Sequence, residues 1–143
     1  MKMKNKKVLV FLILVTVVVV GLVKYSNAPK MKAINNNPNW DYKVLKDKNV
    51  SEELEGVLSQ KNEKDKMEIV SLYIKNTKSN KKIITYTNED VKAGFSEENY
   101  KNETDPIYVE FPLGDSLDKG TEYSLLLTYK INDEVNTDEI KFK

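Results

Sequence analysis

The sequence predicts an all-β fold: two sheets packed as a β-sandwich of about seven strands, preceded by one N-terminal transmembrane helix. Three observations predict it. Beyond residue 40 apolar and polar residues alternate with a period of two in short runs, the pattern of strands with one face on a core and one in water. Clusters rich in Gly, Pro, Asn and Asp separate those runs and read as turns. Ahead of them stands Val8 to Val23, sixteen residues of which only Thr16 and Gly21 are not strongly apolar.

That run comes first in the chain. Residues 1–7 hold Lys2, Lys4, Lys6 and Lys7 and no acid, and read as a cytoplasmic basic tail. Residues 8–23 read as a transmembrane anchor or a signal-peptide core. As a helix the run spans about 24 Å, short of the roughly 30 Å hydrocarbon core, and flanking lysines can reach the interface by snorkelling. Its fourteen apolar residues favour insertion by about 4–8 kcal/mol. The best small-x-small cleavage signal is Ser26-Asn27-Ala28, but Pro29 follows it, and proline fits poorly across a scissile bond. Retention is therefore the expectation, and release by cleavage the alternative. The lysines ahead of the run favour a cytoplasmic N-terminus and an extracytoplasmic C-terminal part.

Residues 24–39, with Pro29, Pro38 and Asn35-Asn36-Asn37, read as a linker. Residues 40–143 read as the extracytoplasmic sandwich domain. Its expected inward stripes are Trp40, Tyr42 and Val44; Leu54, Gly56 and Leu58; Val70, Leu72 and Ile74; Ile84 and Tyr86; Ile107, Val109 and Phe111; Tyr123, Leu125, Leu127 and Tyr129; and Ile140 with Phe142. The segment NVSEELEGVLSQ also fits a helix capped by Asn49 with Glu52 at the box position. Gly56 would cost such a helix about 1 kcal/mol, so a strand over 54–60 is preferred. Turns are expected at 75–82, 99–106, 114–120 and 132–136. Two apolar-faced sheets bury both stripes only by closing on each other.

Charge and composition exclude several chemistries. Residues 1–33 carry seven lysines and no acid, while residues 34–143 carry sixteen lysines and twenty-two acids, a net −6. An acidic domain without arginine lacks both the charge and the bidentate forks that phosphate recognition uses, so nucleic-acid binding is not expected. With no cysteine and no histidine, the chain lacks thiolate chemistry, disulfides, the commonest general base and the commonest metal ligand.

The stretch LDKGTEYSLLLTY, residues 117–129, resembles the corner before strand F of fibronectin type III and related immunoglobulin-like domains. Leu117, Gly120 and Tyr123 match the family's leucine, glycine and tyrosine. The resemblance implies an immunoglobulin-like sandwich in which the Tyr123 hydroxyl bonds back to the corner backbone. The family's strand-B tryptophan has no counterpart in residues 67–75, taken as that strand. The layout also resembles small membrane-anchored envelope proteins of low-GC Gram-positive bacteria, through Trp40-Asp41-Tyr42-Lys43-Val44, Leu54-Glu55-Gly56-Val57-Leu58 and Asp138-Glu139-Ile140-Lys141-Phe142. That resemblance brings no activity with it.

Candidate chemistry is sparse. Ser79-Asn80-Lys81-Lys82 matches S-x-x-K in form but falls in an expected hairpin loop without the partner motifs of a serine acylase. The acid pairs Glu89-Asp90, Glu97-Glu98, Asp133-Glu134 and Asp138-Glu139 would serve a carboxylate hydrolase only if two carboxyls faced each other across a cleft. Asn88, Glu89 and Asp90, or Asp115 and Asp118, offer oxygens for calcium but do not fit the EF-hand loop. No cofactor or metal is expected. Tyr73, Tyr108 and Leu126 are expected to point outward, as a partner surface or as cross-strand stabilisers. The last strand, near Ile140 to Phe142, is expected at a sheet edge, guarded by Lys141 and Lys143 or open to a partner strand. The functional expectation is a non-catalytic binding module of the cell membrane. It would hold the bilayer through residues 8–23 and contact an envelope protein or a wall polymer. A small envelope hydrolase and a secreted protein are the alternatives.

Overall fold

A computed structural model describes residues 2–26, 29–47, 53–103 and 105–143, and within the N-terminal helix the side chains of 8–20. That helix, α1, spans Lys2–Ser26. Among the described residues no helix is long and apolar enough to cross a membrane. The last three residues of the Val8–Val23 run, Lys24, the flanking lysines of residues 1–7 and the cleavage signal at Asn27-Ala28 lie outside the described side chains, and Asn49 and Glu52 lie outside the described residues.

The rest is mostly strand. Among the described residues eight strands follow: β1 Met31–Lys32, β2 Trp40–Lys46, β3 Leu54–Gln60, β4 Met67–Asn76, β5 Lys82–Tyr86, β6 Tyr108–Gly114, β7 Tyr123–Ile131 and β8 Glu134–Phe142. They form two antiparallel four-stranded sheets, β1-β2-β3-β6 and β5-β4-β7-β8. The strand expected at 54–60 is present with the bounds the alternation marks. The 132–136 turn contracts to Asn132 and Asp133, at φ of 50° and 71°. Two successive left-handed residues suit a tight two-residue hairpin, so pairing begins at once with Ile131 opposite Glu134.

The two sheets meet over an aromatic core. Trp40 packs edge-on against Tyr129 across the sheets, with ring centroids 5.2 Å apart. Tyr42 lies over Phe111 at 6.1 Å and meets Phe142 edge-on at 4.9 Å. Every expected inward residue of β2, β7 and β8 is buried. The stripe of β4 is shifted at its start. A register shift between Ile69 and Ser71 turns Ile69, not Val70, into the core, because one extra residue inverts the alternation on its N-terminal side.

Both open sides of the sandwich are closed, by segments the alternation does not reveal. On one side residues 30–39, expected as linker, lie packed on the sandwich. Lys30 N–H donates to Val44 O of β2, while Lys32 and Lys143 exchange backbone bonds and Ile34 N–H donates to Lys141 O of β8. The segment thus passes from one sheet to the other, and Met31 is buried beneath it. The edge of β8 over 141–143 is consequently occupied by the chain's own backbone, which corrects the expectation of an edge open there. Asn37 is buried as well, its Oδ1 accepting the N–H groups of Asn39 and Trp40 at 2.9 Å each.

On the other side two short helices, α2 Asn88–Gly94 and α3 Glu97–Tyr100, lie between edge strands β5 and β6. Val91 and Tyr100 are buried, and Phe95 stacks on Tyr86, which in turn meets Phe111. Thr87 begins α2 with a capping box: Asp90 N–H donates to Thr87 Oγ1 and Thr87 N–H donates to Asp90 Oδ2. The same T-x-x-D spacing is visible in the sequence as a helix start.

Among the described residues two core polar groups, Trp40 Nε1 and the Tyr42 hydroxyl, are buried without a hydrogen-bond partner. Burial pushes the pKa of the Tyr42 hydroxyl far up. A buried unpaired hydroxyl costs about 1–3 kcal/mol. Tyr42→Phe keeps the ring and removes the orphan, so it is expected to raise the midpoint of urea unfolding by the equivalent of about 1 kcal/mol. A lowered midpoint would show that the hydroxyl has a partner.

Candidate functional site

The three residues expected as a partner surface do not share a face. Tyr73 on β4 stands directly opposite Leu126 on β7, and Thr85 of β5 flanks Tyr73 on the other side. Their inward neighbours Leu72, Ile74, Leu125 and Leu127 are buried, so this row forms the middle of one outer face. Both side chains are half-buried. Lys82 Nζ sits 4.2 Å from the centre of the Tyr73 ring, within cation–π range. Tyr73 is thus tied into a cross-strand cluster as well as facing outward.

Tyr108 belongs to β6, at the edge of the other sheet. It alternates with buried Ile107 and Val109 and is 49% exposed. A strand in the opposite layer points its outward residues the opposite way, so Tyr108 lies on the far face from Tyr73 and Leu126. Period-two alternation tells inward from outward but not which sheet a strand joins, and that is why the three read as one set in sequence. The Tyr108 hydroxyl donates to Glu110 Oε1 at 2.7 Å. That bond, with some desolvation and the charges of Glu110 and Glu55, pushes the Tyr108 pKa up to about 12. A group whose folded pKa is raised loses its stabilising effect as pH rises through that value. In the difference spectrum between the wild type and Tyr108→Phe, the phenolate signal is expected to appear near pH 12 in the folded protein. Appearance near pH 10 would mean the hydrogen bond is absent.

The corner tyrosine lies as the resemblance implies. Tyr123 is buried, and its hydroxyl accepts the N–H of Asp118 at 2.7 Å. Gly120, at φ of 84°, makes the turn between them, a conformation that strains any residue with a Cβ.

The acidic pairs fall in separate structural roles. Asp90 caps α2, and its hydrogen bonds to Thr87 hold its carboxyl below the usual range. Glu97 lies in the first turn of α3, where Lys101 reaches it at 3.5 Å and Glu103 at 3.0 Å. Asp133 sits in the hairpin turn beside Glu134. Asp138 and Glu139 alternate on β8, and Asp138 Oδ2 accepts the Tyr129 hydroxyl at 2.8 Å and Asn37 Nδ2 at 3.2 Å. That last network, completed by Asn39 Nδ2 on the Tyr129 hydroxyl at 3.1 Å, ties the start of β2 to β7 and β8. Among the described residues no group of three or more acidic side chains is placed to hold a metal. Asn88 and Glu89 lie in the first turn of α2 rather than in a loop. Ser79 to Lys81 fall in the turn and loop between β4 and β5, and Lys82 opens β5.

Surface hollows lie among the described residues. One of about 460 Å³ lies at the end of the sandwich near Met67, Asn102 and Asn132. One of about 400 Å³ surrounds Lys101 and the acids beside it. Another, of about 240 Å³, has an apolar floor of Met31, Leu54 and Leu117 with Lys30, Lys46, Glu53 and Lys119 around it. Comparison with family models, curated proteins and solved structures found no match.

Proposed function

We propose that the chain is a single-pass, membrane-anchored extracytoplasmic protein whose immunoglobulin-like sandwich is a non-catalytic binding module. One observation carries the anchor: the α1 side chains from Val8 to Val20 are all exposed, and every one but Thr16 is strongly apolar. An apolar cylinder that buries itself against no protein finds its solvent in a bilayer. Thr16 meets the bilayer's demand for internal satisfaction, its hydroxyl donating to Leu12 O at 2.8 Å. With the sixteen-residue run of the sequence, the helix reaches about 24 Å before its flanking lysines are counted.

The immunoglobulin-like reading rests on strand order. Taking β2 and β3 as strands A and B, β4 and β5 as C and C′, and β6, β7 and β8 as E, F and G gives an A-B-E sheet facing a C′-C-F-G sheet. Residues 67–76 then occupy the C position, and the B position falls to 54–60, which also lacks a tryptophan. The Tyr123 hydroxyl at the corner before F supports the same assignment.

The module would hold an envelope protein or a wall polymer through one outer face. Tethering raises the effective concentration of a partner in the same membrane, so modest affinity suffices. The Tyr73–Leu126 row and the Tyr108 face are two separate candidate surfaces. The hydrolase alternative needs paired carboxyls across a cleft, and the four adjacent acid pairs are divided among a cap, a helix turn, a hairpin turn and alternating faces of β8.

Protease treatment of intact protoplasts, followed by mass spectrometry, tests sidedness and processing together. The expected result is digestion of residues 40–143 with an intact fragment containing residues 8–23 left in the membrane. A chain beginning beyond Ala28 in the medium would indicate cleavage and release. Full protection of the sandwich would place it in the cytosol and end the proposal.

A further inference from the structure

The charges of the sandwich are sorted between its two ends. One end is where the chain enters from α1. The register puts Lys30 and Met31 beside the C-terminal end of β2, the N-terminal end of β3 beside the C-terminal end of β6, and the β4–β5 turn beside the start of β7 and the end of β8. The residues at this end, 30–32, 45–47, 53–54, 75–82, 113–123 and 141–143, carry ten lysines and five carboxylates. The opposite end, residues 59–68, 87–107 and 129–138 among those described, carries six lysines and twelve carboxylates. A domain that is acidic in total is therefore basic where its tether attaches.

We infer that this tether-proximal end docks on the surface of an anionic bilayer. Lys46, Lys78, Lys81, Lys119 and Lys143 are all exposed at it, and their charge complements anionic headgroups. The hollow floored by Met31, Leu54 and Leu117 lies at the same end, inside a rim of Lys30, Lys46 and Lys119 with Glu53. Basic residues around a small apolar patch match the headgroup–acyl boundary. Tethering alone leaves the sandwich free to tumble. Docking would fix its long axis upright and present the acidic end, with the hairpin turn at Asn132-Asp133, away from the membrane.

This inference rests on the anchor reading for its geometry, and the test separates the two. The full chain is combined with nanodiscs of phosphatidylcholine alone or of phosphatidylcholine with phosphatidylglycerol. Incorporation is read by co-elution, and lysine accessibility by acylation and mass spectrometry. The expected result is incorporation in both lipids, with slower labelling of Lys46, Lys78, Lys81 and Lys119 in the anionic discs and equal labelling of Lys61, Lys64 and Lys92. The protection should vanish at about 1 M salt, where the screening length falls to ~3 Å. In the variant K78Q/K81Q/K119Q the protection of Lys46 should weaken by about fivefold per lysine removed. Incorporation in both lipids with equal labelling overturns docking and leaves the anchor standing. Binding to anionic discs alone, with protection, supports docking and ends the anchor reading. Failure to bind either disc overturns both. Equal protection in neutral discs by soluble polyphosphate would overturn the assignment to lipid in favour of a free polyanion.

Discussion

Trp40→Ala is expected to lower the unfolding free energy by about 3–5 kcal/mol, the usual cost of emptying a buried tryptophan site. Trp40 opens β2 at 1% exposure. Its ring meets Tyr129 edge-on across the sheets at 5.2 Å, an arrangement that favours aromatic pairs beyond their buried area. Its backbone N–H donates to Asn37 Oδ1, and the Asn37 amide and the Tyr129 hydroxyl both reach Asp138. The side chain is thus the centre of a patch where β2, β7 and β8 join. Neighbours fastened by hydrogen bonds cannot collapse into the space, so the cavity stays open. With no cysteine in the chain, no disulfide limits the unfolded state, and a domain of this size has only about 5–15 kcal/mol to lose. Guanidinium unfolding should show a much lower midpoint at unchanged slope. Val135→Ala, at a site 65% exposed, serves as the control and should stay within about 0.5 kcal/mol. A loss under about 1 kcal/mol for Trp40→Ala would mean the ring is not in the core.

Much of this core is legible in the sequence because burial and period two coincide along each strand. Trp40-Asp41-Tyr42-Lys43-Val44 and Tyr123 through Tyr129 state their inner faces outright. The phase of β4 is not legible. Ile69 and Val70 are both apolar β-branched residues, and only pairing with β7 reveals the irregularity that places Ile69 inside. The side closures are hidden for different reasons. Residues 30–39 look like linker because their ordering comes from backbone bonds to β2 and β8 and from the Asn37 side chain, none of which has a hydropathy signature. Helices α2 and α3 are too short for helical periodicity to emerge: Val91 and Phe95 make a single i, i+4 pair, and Tyr100 stands apart in α3. The Thr87 capping box is the one local signal of α2 that its sequence carries. At the surface, Tyr73 and Leu126 sit opposite each other while Tyr108 lies on the far sheet, a difference set by topology alone. Charge sorting is likewise invisible along the chain: Lys46, Lys78, Lys81, Lys119 and Lys143 are scattered over nearly a hundred residues and gather only when the strands pair.

Gly56→Ala is a test of sign as well as size. By strand propensity alone alanine should be better than glycine in a strand interior, by about 0.5–1 kcal/mol. The packing around Gly56 reverses that. Gly56 pairs with Val44 on one side and Phe111 on the other, and faces the core beneath the Tyr42–Phe111 stack. A Cβ there would lie 2.8 Å from Phe111 Cε2 and Cζ and 2.8 Å from the Tyr42 hydroxyl. Both rings are buried to 1% or less. Phe142 blocks Tyr42 at 4.9 Å, and Tyr86 blocks Phe111 at 5.7 Å, so neither can swing aside without moving another ring. Overpacking of this kind costs about 1–3 kcal/mol, which outweighs the propensity gain and makes the net change destabilising. The Tyr42 hydroxyl is one of the clashing atoms, so Tyr42→Phe should relieve part of the strain. The double variant is expected to be more stable than the two single effects added together, by at least about 0.5 kcal/mol of coupling. A stabilised Gly56→Ala would mean that the rings do not close over this glycine. Strict additivity in the double variant would mean that Tyr42 does not lie against it.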